Sequence, residues 1–205
     1  MADNNPEFDR WQQRFAAPGY LFGTAPNAFL RRQADRVRKG QSALAIADGE
    51  GRNGVFLAEQ GLDVLSVDFS PLAQAKVRKL AAERGITLRV EQADIVNWQW
   101  PAAAFDVVAA IFIQFATPAE REKIFAGIKH TLKPGGLLLM QGYGPKQLDY
   151  KTGGPPHLDR LYTRKLLEDA FGDFAALDIV EHDSVIEEGT GHGGMSALID
   201  LVGTK

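Results

Sequence analysis

Cysteine is absent from the 205-residue sequence, and this absence excludes several kinds of chemistry at once. Without a thiol the chain forms no disulfide, holds no thiolate-bound metal and has no cysteine nucleophile. Its four histidines follow no recognised ligand spacing, so we expect no metal site. Any site must therefore be built from carboxylates, amides, hydroxyls, aromatic rings and the backbone.

Long apolar runs and an excess of positive charge are also missing. No run of about 18 apolar residues occurs, and the first ten residues contain acids rather than the apolar core of a secretory signal. With 23 Lys and Arg against 26 Asp and Glu, the net charge of −3 offers no general attraction to polyanions. We therefore expect a cytoplasmic protein with neither membrane nor nucleic acid as a partner. Nothing in the sequence indicates an oligomeric state.

Short apolar runs alternate with amphipathic stretches, which is the pattern of an α/β domain. It predicts strands at 42–47, 63–67, 87–92, 105–113 and 137–142, with helices beginning near residues 52, 71 and 118. A Gly- and Pro-rich loop over 143–156, a helix near 163–171 and a hairpin from 177–187 and 195–202 are predicted to follow. We expect one domain over 1–205, with residues 1–40 as an N-terminal helical lid.

A glycine-rich turn, Asp48-Gly49-Glu50-Gly51-Arg52-Asn53, joins the first predicted strand to its helix. Glycines let the backbone approach a ligand closely, and the helix N-terminus favours an anion, either a pyrophosphate or an amino-acid carboxylate. With Gly54 the turn matches G-x-G-x-x-G, and Asp68 follows at about the 20-residue distance of an acid that binds ribose hydroxyls. A dinucleotide is therefore a serious alternative to any other ligand.

Two further features favour an adenosine linked to an amino acid. Asp94 and Ile95 follow the third predicted strand, where the carboxylate can accept from an exocyclic amine beside an apolar surface for the adenine face. The last third of the chain leaves no room for a second parallel half, and Tyr143 and Lys146 are too close in sequence to form a Tyr-x-x-x-Lys pair. A nicotinamide-dependent oxidoreductase and a non-catalytic nucleotide-binding module remain as alternatives.

Taken in order, these segments resemble the class I S-adenosylmethionine-dependent methyltransferases, and within them the tellurite-resistance and thiopurine methyltransferase-like proteins. The resemblance covers nearly the whole chain and is carried by segments 48–53, 67–70, 93–95, 105–108 and 133–136. It implies a Rossmann-like fold: a doubly wound, mostly parallel seven-stranded sheet with a reversed C-terminal strand. It also implies S-adenosylmethionine as the cofactor.

The resemblance further implies which residues bind this cofactor. Gly49 and Gly51 would face its methionine part, Asp68 the ribose hydroxyls, and Asp94 with Ile95 the adenine. The predicted set is Asp48, Gly49, Gly51, Asn53, Asp68, Phe69, Asp94 and Ile95. The chain departs from the family pattern at Ala45 and Ala47, where the family usually has an acid and a glycine. We expect Asp48 to replace that acid in contacting the methionine ammonium.

Methyl transfer requires alignment of acceptor, methyl carbon and sulfur in a dry cleft, rather than a nucleophilic side chain. A small acceptor that is already anionic, such as a thiolate, selenide or tellurium oxyanion, also needs no general base, and the sequence offers no obvious dyad. Candidate acceptor contacts are Trp11, Arg14, Tyr20, Phe22, Gln114, Tyr143 and His192. Ordinary packing is the alternative for the aromatic residues and Gln114. For His192, which lies among glycines, we expect either a mobile gating turn or simple exposure.

Overall fold

The central strand β1 (Ser42–Ile46) is apolar and buried because it lies inside a sheet that helices cover on both faces. It pairs in parallel with β2 (Asp63–Asp68) on one side and β4 (Phe105–Ile111) on the other. Strand β3 (Arg89–Gln92) pairs in parallel with β2 and forms one edge. The structure is a computed structural model that describes residues 6–205.

The other half of the sheet contains the predicted reversal of direction. Strand β5 (Leu132–Tyr143) is parallel to β4, and it is followed in the sheet by β7 (His192–Thr204), which is antiparallel to it. Strand β6 (Ala176–Glu188) forms a long hairpin with β7 and is the other edge. The order β3-β2-β1-β4-β5-β7-β6 confirms the predicted seven-stranded α/β fold with a reversed C-terminal strand.

Several helices begin directly after a residue whose side chain caps them. At the start of α4 (Pro71–Glu83) the hydroxyl of Ser70 accepts from the backbone amide of Ala73, which would otherwise lack a partner. Helix α5 (Pro118–Thr131) begins with a capping box formed by Thr117 and Glu120. The remaining helices are α1 (Pro6–Phe15), α2 (Ala28–Arg32), α3 (Arg52–Glu59), α6 (Gln147–Tyr150) and α7 (Arg164–Phe171), with 3₁₀ turns at Ala34–Arg36 and Leu158–Arg160.

Several boundaries differ from the predicted ones, among them the end of β4 at Ile111 rather than 113 and the starts of β3 at Arg89 and β7 at His192. Strand β1 ends before Ala47, because Ala47 adopts a left-handed backbone with φ of 46°. Strand β5 begins at Leu132, because Leu132 pairs with Phe105 ahead of a register shift that the Lys-Pro-Gly-Gly segment produces. Helix α6 interrupts the predicted loop over 143–156. Within residues 6–205, no helix is both long and apolar enough to cross a membrane.

The fold opens a crevice where the strand order reverses. From β1 the chain runs outward to β2 and β3, then returns to β4 on the other side of β1. At such a switch point the loops that follow the two central strands turn to opposite faces, so a crevice forms at the carboxyl ends of the strands. This is where ligands bind in open α/β sheets.

Candidate active site

A cavity of about 240 Å³ occupies this crevice. Its floor comes from residues at the carboxyl ends of four strands: 47–49 after β1, 68 and 69 at β2, 93–97 after β3, and 111, 112 and 115 at β4. Arg52 and Asn53 of α3 add to one side. Trp11, Phe15 and Phe22 cover it from the N-terminal segment, so the cavity lies between the sheet and that segment.

The three glycines of the turn have three different roles. Gly49, with φ of 58°, borders the cavity, and its amide donates to Oδ2 of Asp68 at 2.9 Å. Gly51, with φ of 90°, is the N-cap of α3, and a Cβ there would lie 2.8 Å from Val77 of α4. Gly51 therefore permits close packing of two helices and does not border the cavity. At Gly54 a Cβ would clash with the Asp48 carboxylate.

Asp48 directs its carboxylate beneath the start of α3. Its oxygens accept from the hydroxyl of Ser66 at 2.7 Å and from the amide of Gly54 at 3.2 Å. Burial raises the pKa of Asp48 to about 7, with Asp68 adding to the rise and the two hydrogen bonds opposing it. The space left by Gly54 draws the carboxylate towards the helix, but Asp48 also borders the cavity, so its contact with a ligand ammonium stays a prediction.

Asp68 stands at the end of β2 with its carboxylate on the cavity wall. Oδ2 accepts from the amide of Gly49 and Oδ1 from the amide of Ser70, both at 2.9 Å. The side chain is buried, and burial raises the pKa of Asp68 to about 6. Each oxygen retains a second lone pair that can accept from a ligand hydroxyl. Asp68 thus fixes the glycine turn and remains available to a ligand.

The segment after β3 forms a neighbouring slot. Asp94 accepts from the amide of Val96 at 3.0 Å and from the side-chain amide of Asn97 at 2.8 Å, so it caps this turn. Ile95 is buried and borders the cavity, with Phe69 nearby on the lining. The carboxylate lone pairs that remain beside these apolar side chains match the polar edge and the flat face of a purine.

The first turn of α3 offers free hydrogen-bond donors to the cavity. The backbone amides of Arg52 and Asn53 donate to no atom of residues 6–205, and both residues are buried and border the cavity. Amides at a helix N-terminus, together with the positive end of the helix dipole, favour an anionic ligand group. A carboxylate placed here would lie at the opposite end of the cavity from Asp94.

The N-terminal segment forms a roof, which we define as α1 together with residues 20–23. Buried Glu50 holds it by accepting from the amide of Leu21 and from Nζ of Lys76, each at 2.6 Å. The amides of Thr190 and Gly191 at the β6–β7 turn both donate to the carbonyl of Leu21 at 2.9 Å. The roof is therefore tied to the glycine turn on one side and to the hairpin on the other.

A buried polar cluster lies where the roof meets the hairpin. The ring of His192 lies 4.4 Å from that of Phe22 and 4.6 Å from that of Phe112, measured between centroids. Its Nδ1 is 3.5 Å from Oε2 of Glu188, and the side chain is only 12% exposed. Glu188 also accepts from Arg52 at 2.6 Å and from Asn27 at 2.9 Å.

This position corrects the interpretation of His192 as an exposed turn residue, while gating by the turn stays a prediction. A Cβ at Gly189 would clash with the backbone of residues 21–23, so its glycine permits close packing of the turn against the roof. The sequence does not identify Glu188 as a site residue, because its contact with His192 depends on the register of the hairpin. Glu188 and His192 are directly paired across β6 and β7, a relation that spacing alone does not reveal.

The other predicted acceptor contacts divide into two groups. Trp11 and Phe22 border the cavity together with His192. Arg14 lies behind them, its guanidinium 4.5 Å from the Trp11 ring centroid. Tyr20 packs away from the cavity, where its hydroxyl donates to the carbonyl of Lys76 at 3.4 Å.

Gln114 and Tyr143 have packing roles in the structure. The side-chain amide of Gln114 donates to the carbonyls of Tyr143 at 2.9 Å and Arg160 at 3.1 Å, which corrects its assignment as an acceptor contact. The Tyr143 ring lies 4.7 Å from that of Phe112, behind the cavity wall. Its hydroxyl is buried and has no hydrogen-bond partner among the described residues.

Comparison with known proteins agrees with this geometry. Residues 43–136 match the family model described as a methyltransferase domain. The fold is that of class I methyltransferases. Demethylmenaquinone methyltransferase of Thermus thermophilus is 34% identical over 104 residues, which is 50% of this chain and 47% of that protein. The chain spans about half the length of this curated relative. The segment that matches the family model contains the glycine turn and Asp68.

Solved structures extend the likeness in fold over the rest of the chain. A S-adenosylmethionine-dependent methyltransferase from Methanosarcina mazei superposes with a TM-score of 0.68 at 17% identity, covering 87% of this chain and 98% of that one. TehB of Haemophilus influenzae has a TM-score of 0.68 at 16% identity, with coverage of 97% and 67%. A protein studied for the conversion of a disulfide bond into a thioacetal group during echinomycin biosynthesis has a TM-score of 0.74 at 16% identity, with coverage of 97% and 91%.

Proposed function

We propose that this protein transfers a methyl group from S-adenosylmethionine to a small-molecule acceptor. The observation that carries the proposal is the acid pair at the cavity, Asp68 and Asp94, standing one strand apart beside the apolar surface of Ile95. This arrangement supports an adenosine bound with its ribose hydroxyls at Asp68 and its amine at Asp94. When bound, S-adenosylmethionine supplies an electrophilic methyl group on a sulfonium.

The remaining predicted cofactor residues have distinct parts in this proposal. The free amides of Arg52 and Asn53 would hold the carboxylate of the methionine part, and Gly49 would allow that part to approach the turn. Phe69 would contact the adenine, and Gly51 would act indirectly by shaping the start of α3. Asp48, which borders the cavity, would contact the ammonium. The residues named here therefore match the carboxylate, the ammonium, the ribose hydroxyls and the adenine amine of the ligand.

A nicotinamide dinucleotide is not favoured. A dinucleotide-binding sheet of the Rossmann type continues with parallel strands on both sides of its switch point. Here the strand after β5 in the sheet is antiparallel, and the β6–β7 hairpin takes the place of a second mononucleotide-binding half. The hairpin turn also contacts the roof over the cavity. This contact limits the length of the cavity and so supports a ligand shorter than a dinucleotide.

The finer proposal is an acceptor with a soft nucleophile, a thiol or a selenium or tellurium compound, as the tellurite-resistance and thiopurine-like resemblance implies. The likeness in fold to the protein studied for the conversion of a disulfide bond into a thioacetal group supports a sulfur acceptor. The acceptor would lie at the aromatic end of the cavity, between Trp11, Phe22 and Phe112. We also propose that the chain is a single domain with residues 1–40 as its lid, of which residues 1–5 lie outside the described residues.

Titration calorimetry tests the proposal directly. The wild-type protein should bind S-adenosylmethionine and S-adenosylhomocysteine at micromolar concentrations and give no heat with nicotinamide dinucleotides. Asp68→Asn should weaken S-adenosylhomocysteine binding by about 10-fold or more, because a charged acceptor for two hydroxyls is lost. Asp63→Asn is the matched control, since Asp63 is an exposed acid at the opposite end of the same strand. Equal affinity in both variants would refute the assignment of Asp68.

A further inference from the structure

We infer that His192 takes a proton from the methyl acceptor and that Glu188 positions it. This inference rests on the proposed function and adds a substrate class: an apolar or aromatic molecule whose S–H or O–H group still carries its proton when it binds. It replaces the expectation that the acceptor arrives as an anion and needs no base.

The two nitrogens of His192 have different surroundings. Nδ1 is enclosed by protein and faces Oε2 of Glu188 at 3.5 Å, longer than a formed hydrogen bond but within the range that tightens when a ligand binds. Nε2 makes no hydrogen bond with another atom of residues 6–205, while the ring borders the cavity. A carboxylate at Nδ1 favours the tautomer with its proton there, which leaves the lone pair of Nε2 for the cavity.

Glu188 is held in place from two sides. Its Oε2 accepts from Nη2 of Arg52 at 2.6 Å, and its Oε1 accepts from the side-chain amide of Asn27 at 2.9 Å. Burial alone would raise the pKa of Glu188, but His192 and Arg52 together lower it to about 2. Glu188 is therefore a fixed anion at neutral pH, and it stabilises the imidazolium that forms when His192 accepts a proton.

Burial and two neighbouring arginines favour the neutral form of His192. Burial lowers the pKa of His192, Arg52 on α3 and Arg14 on α1 lower it further, and Glu188 on β6 opposes them. On the β5 side stands Tyr143, whose pKa burial keeps above its usual value. A neutral imidazole is the form that a general base requires near pH 7.

The aromatic end of the cavity indicates the kind of acceptor. His192 lies between Phe22 and Phe112, and Trp11 and Phe115 complete this part of the lining. The four aromatic side chains give a large apolar surface, and Nε2 of His192 beside them is a polar atom at which a bound molecule can direct an S–H or O–H group. A highly hydrated oxyanion would lose its water here without enough donors to replace it.

The proton and electrons balance in a single transfer. Nε2 of His192 removes the acceptor's proton as the acceptor's electron pair forms the new bond to the methyl carbon. The carbon–sulfur bond breaks at the same time, and its electrons remain on the sulfur, which becomes a neutral thioether. After the methylated product leaves, His192 returns the proton to solvent.

Nitrogen NMR of histidine-labelled protein tests the tautomer without any turnover. With S-adenosylhomocysteine bound near pH 7.5, His192 should be neutral with its proton on Nδ1, and the signal is assigned by its loss in His192→Gln. Glu188→Gln should reduce this tautomer preference, while His182→Gln, a histidine on β6 that does not border the cavity, should leave it unchanged. A charged ring, or a proton held on Nε2, overturns the inference.

Turnover of graded thiols supplies the second test. His192→Gln should lower kcat/KM for benzyl mercaptan by about 10²-fold or more, because that thiol keeps its proton at neutral pH. It should change kcat/KM for 4-nitrothiophenol by less than about 5-fold, because that thiol is already ionised and needs no base. Equal losses on both thiols, or no methylation of either by wild-type protein that binds S-adenosylmethionine, overturn the inference. Failure to bind S-adenosylmethionine refutes the proposed function instead.

Discussion

At the scale of single residues, Tyr143 shows what an unpaired buried group costs. Its hydroxyl is enclosed by protein and has no partner within residues 6–205, while its ring packs against Phe112 and His192. An unsatisfied buried hydroxyl costs about 1–3 kcal/mol of the free energy of unfolding. The ring contacts do not depend on the hydroxyl, so the oxygen can be removed while the packing is kept.

Tyr143→Phe should therefore raise the free energy of unfolding by about 1 kcal/mol, measured by urea denaturation. Tyr20→Phe is the matched control, because the Tyr20 hydroxyl donates to a carbonyl and its removal should leave stability equal or slightly lower. Destabilisation by Tyr143→Phe would mean that the hydroxyl has a partner in solution, and the variant's affinity for S-adenosylhomocysteine would then show whether that partner belongs to the site.

The sequence predicts that the backbone of the glycine turn approaches another group closely, but it does not predict the role of each glycine. A run of glycines between strand and helix predicts close backbone approach without saying what approaches. The partner of Gly51 is Val77 and the partner of Gly54 is the Asp48 carboxylate, and both depend on how the chain folds around the turn. The same holds for Glu188 and His192, which become a pair only in the register of the hairpin.

At the scale of elements, the roof is held to the domain by one buried carboxylate. Glu50 joins the amide of Leu21 to Lys76 of α4, and Lys76 also donates to the carbonyl of Ala17 at 2.8 Å. Neutralising Glu50 weakens both of its bonds and leaves Lys76 partly buried without its counter-charge. The segment that covers the cavity should then open more often.

Hydrogen exchange measures this opening. In Glu50→Gln the amides of residues 20–23 should exchange about 10-fold faster, because roughly 1.4 kcal/mol of local stability is a factor of ten in the open population. Glu59→Gln is the control, because Glu59 lies at the end of α3 and pairs with Arg84 away from the roof. This variant should leave the exchange rates of residues 20–23 unchanged. Unchanged exchange in both variants would show that the hairpin turn alone holds the roof.

Element starts were predictable where their chemistry is local. The N-caps at Ser70 and Thr117 act on amides two or three residues away, so the sequence alone specifies them. The start of β5 at Leu132 depends instead on pairing with Phe105, and the end of β1 depends on the left-handed backbone of Ala47. These two depend on tertiary contacts, which local pattern does not contain.

At the scale of the whole molecule, two buried acids beside the glycine turn make stability depend on pH. Asp48 has its pKa raised to about 7 and Asp68 to about 6, in both cases chiefly by burial. An acid whose pKa is higher in the folded state than in the unfolded chain favours folding while protonated. Its contribution is complete below the unfolded value near 4 and is lost as the pH rises through the folded value.

Asp48→Asn isolates the larger of these effects. The amide oxygen can still accept from Gly54 and its NH₂ can donate to the hydroxyl of Ser66, so the packing is retained without a charge to bury. Relative to wild type, the variant should gain about 1–2 kcal/mol in free energy of unfolding between about pH 5 and pH 8, because only the wild type must ionise Asp48. Urea denaturation across that range measures the gap, and Asp63→Asn, at an exposed acid, should show none. A constant gap for Asp48→Asn would mean that Asp48 is already ionised at about pH 5.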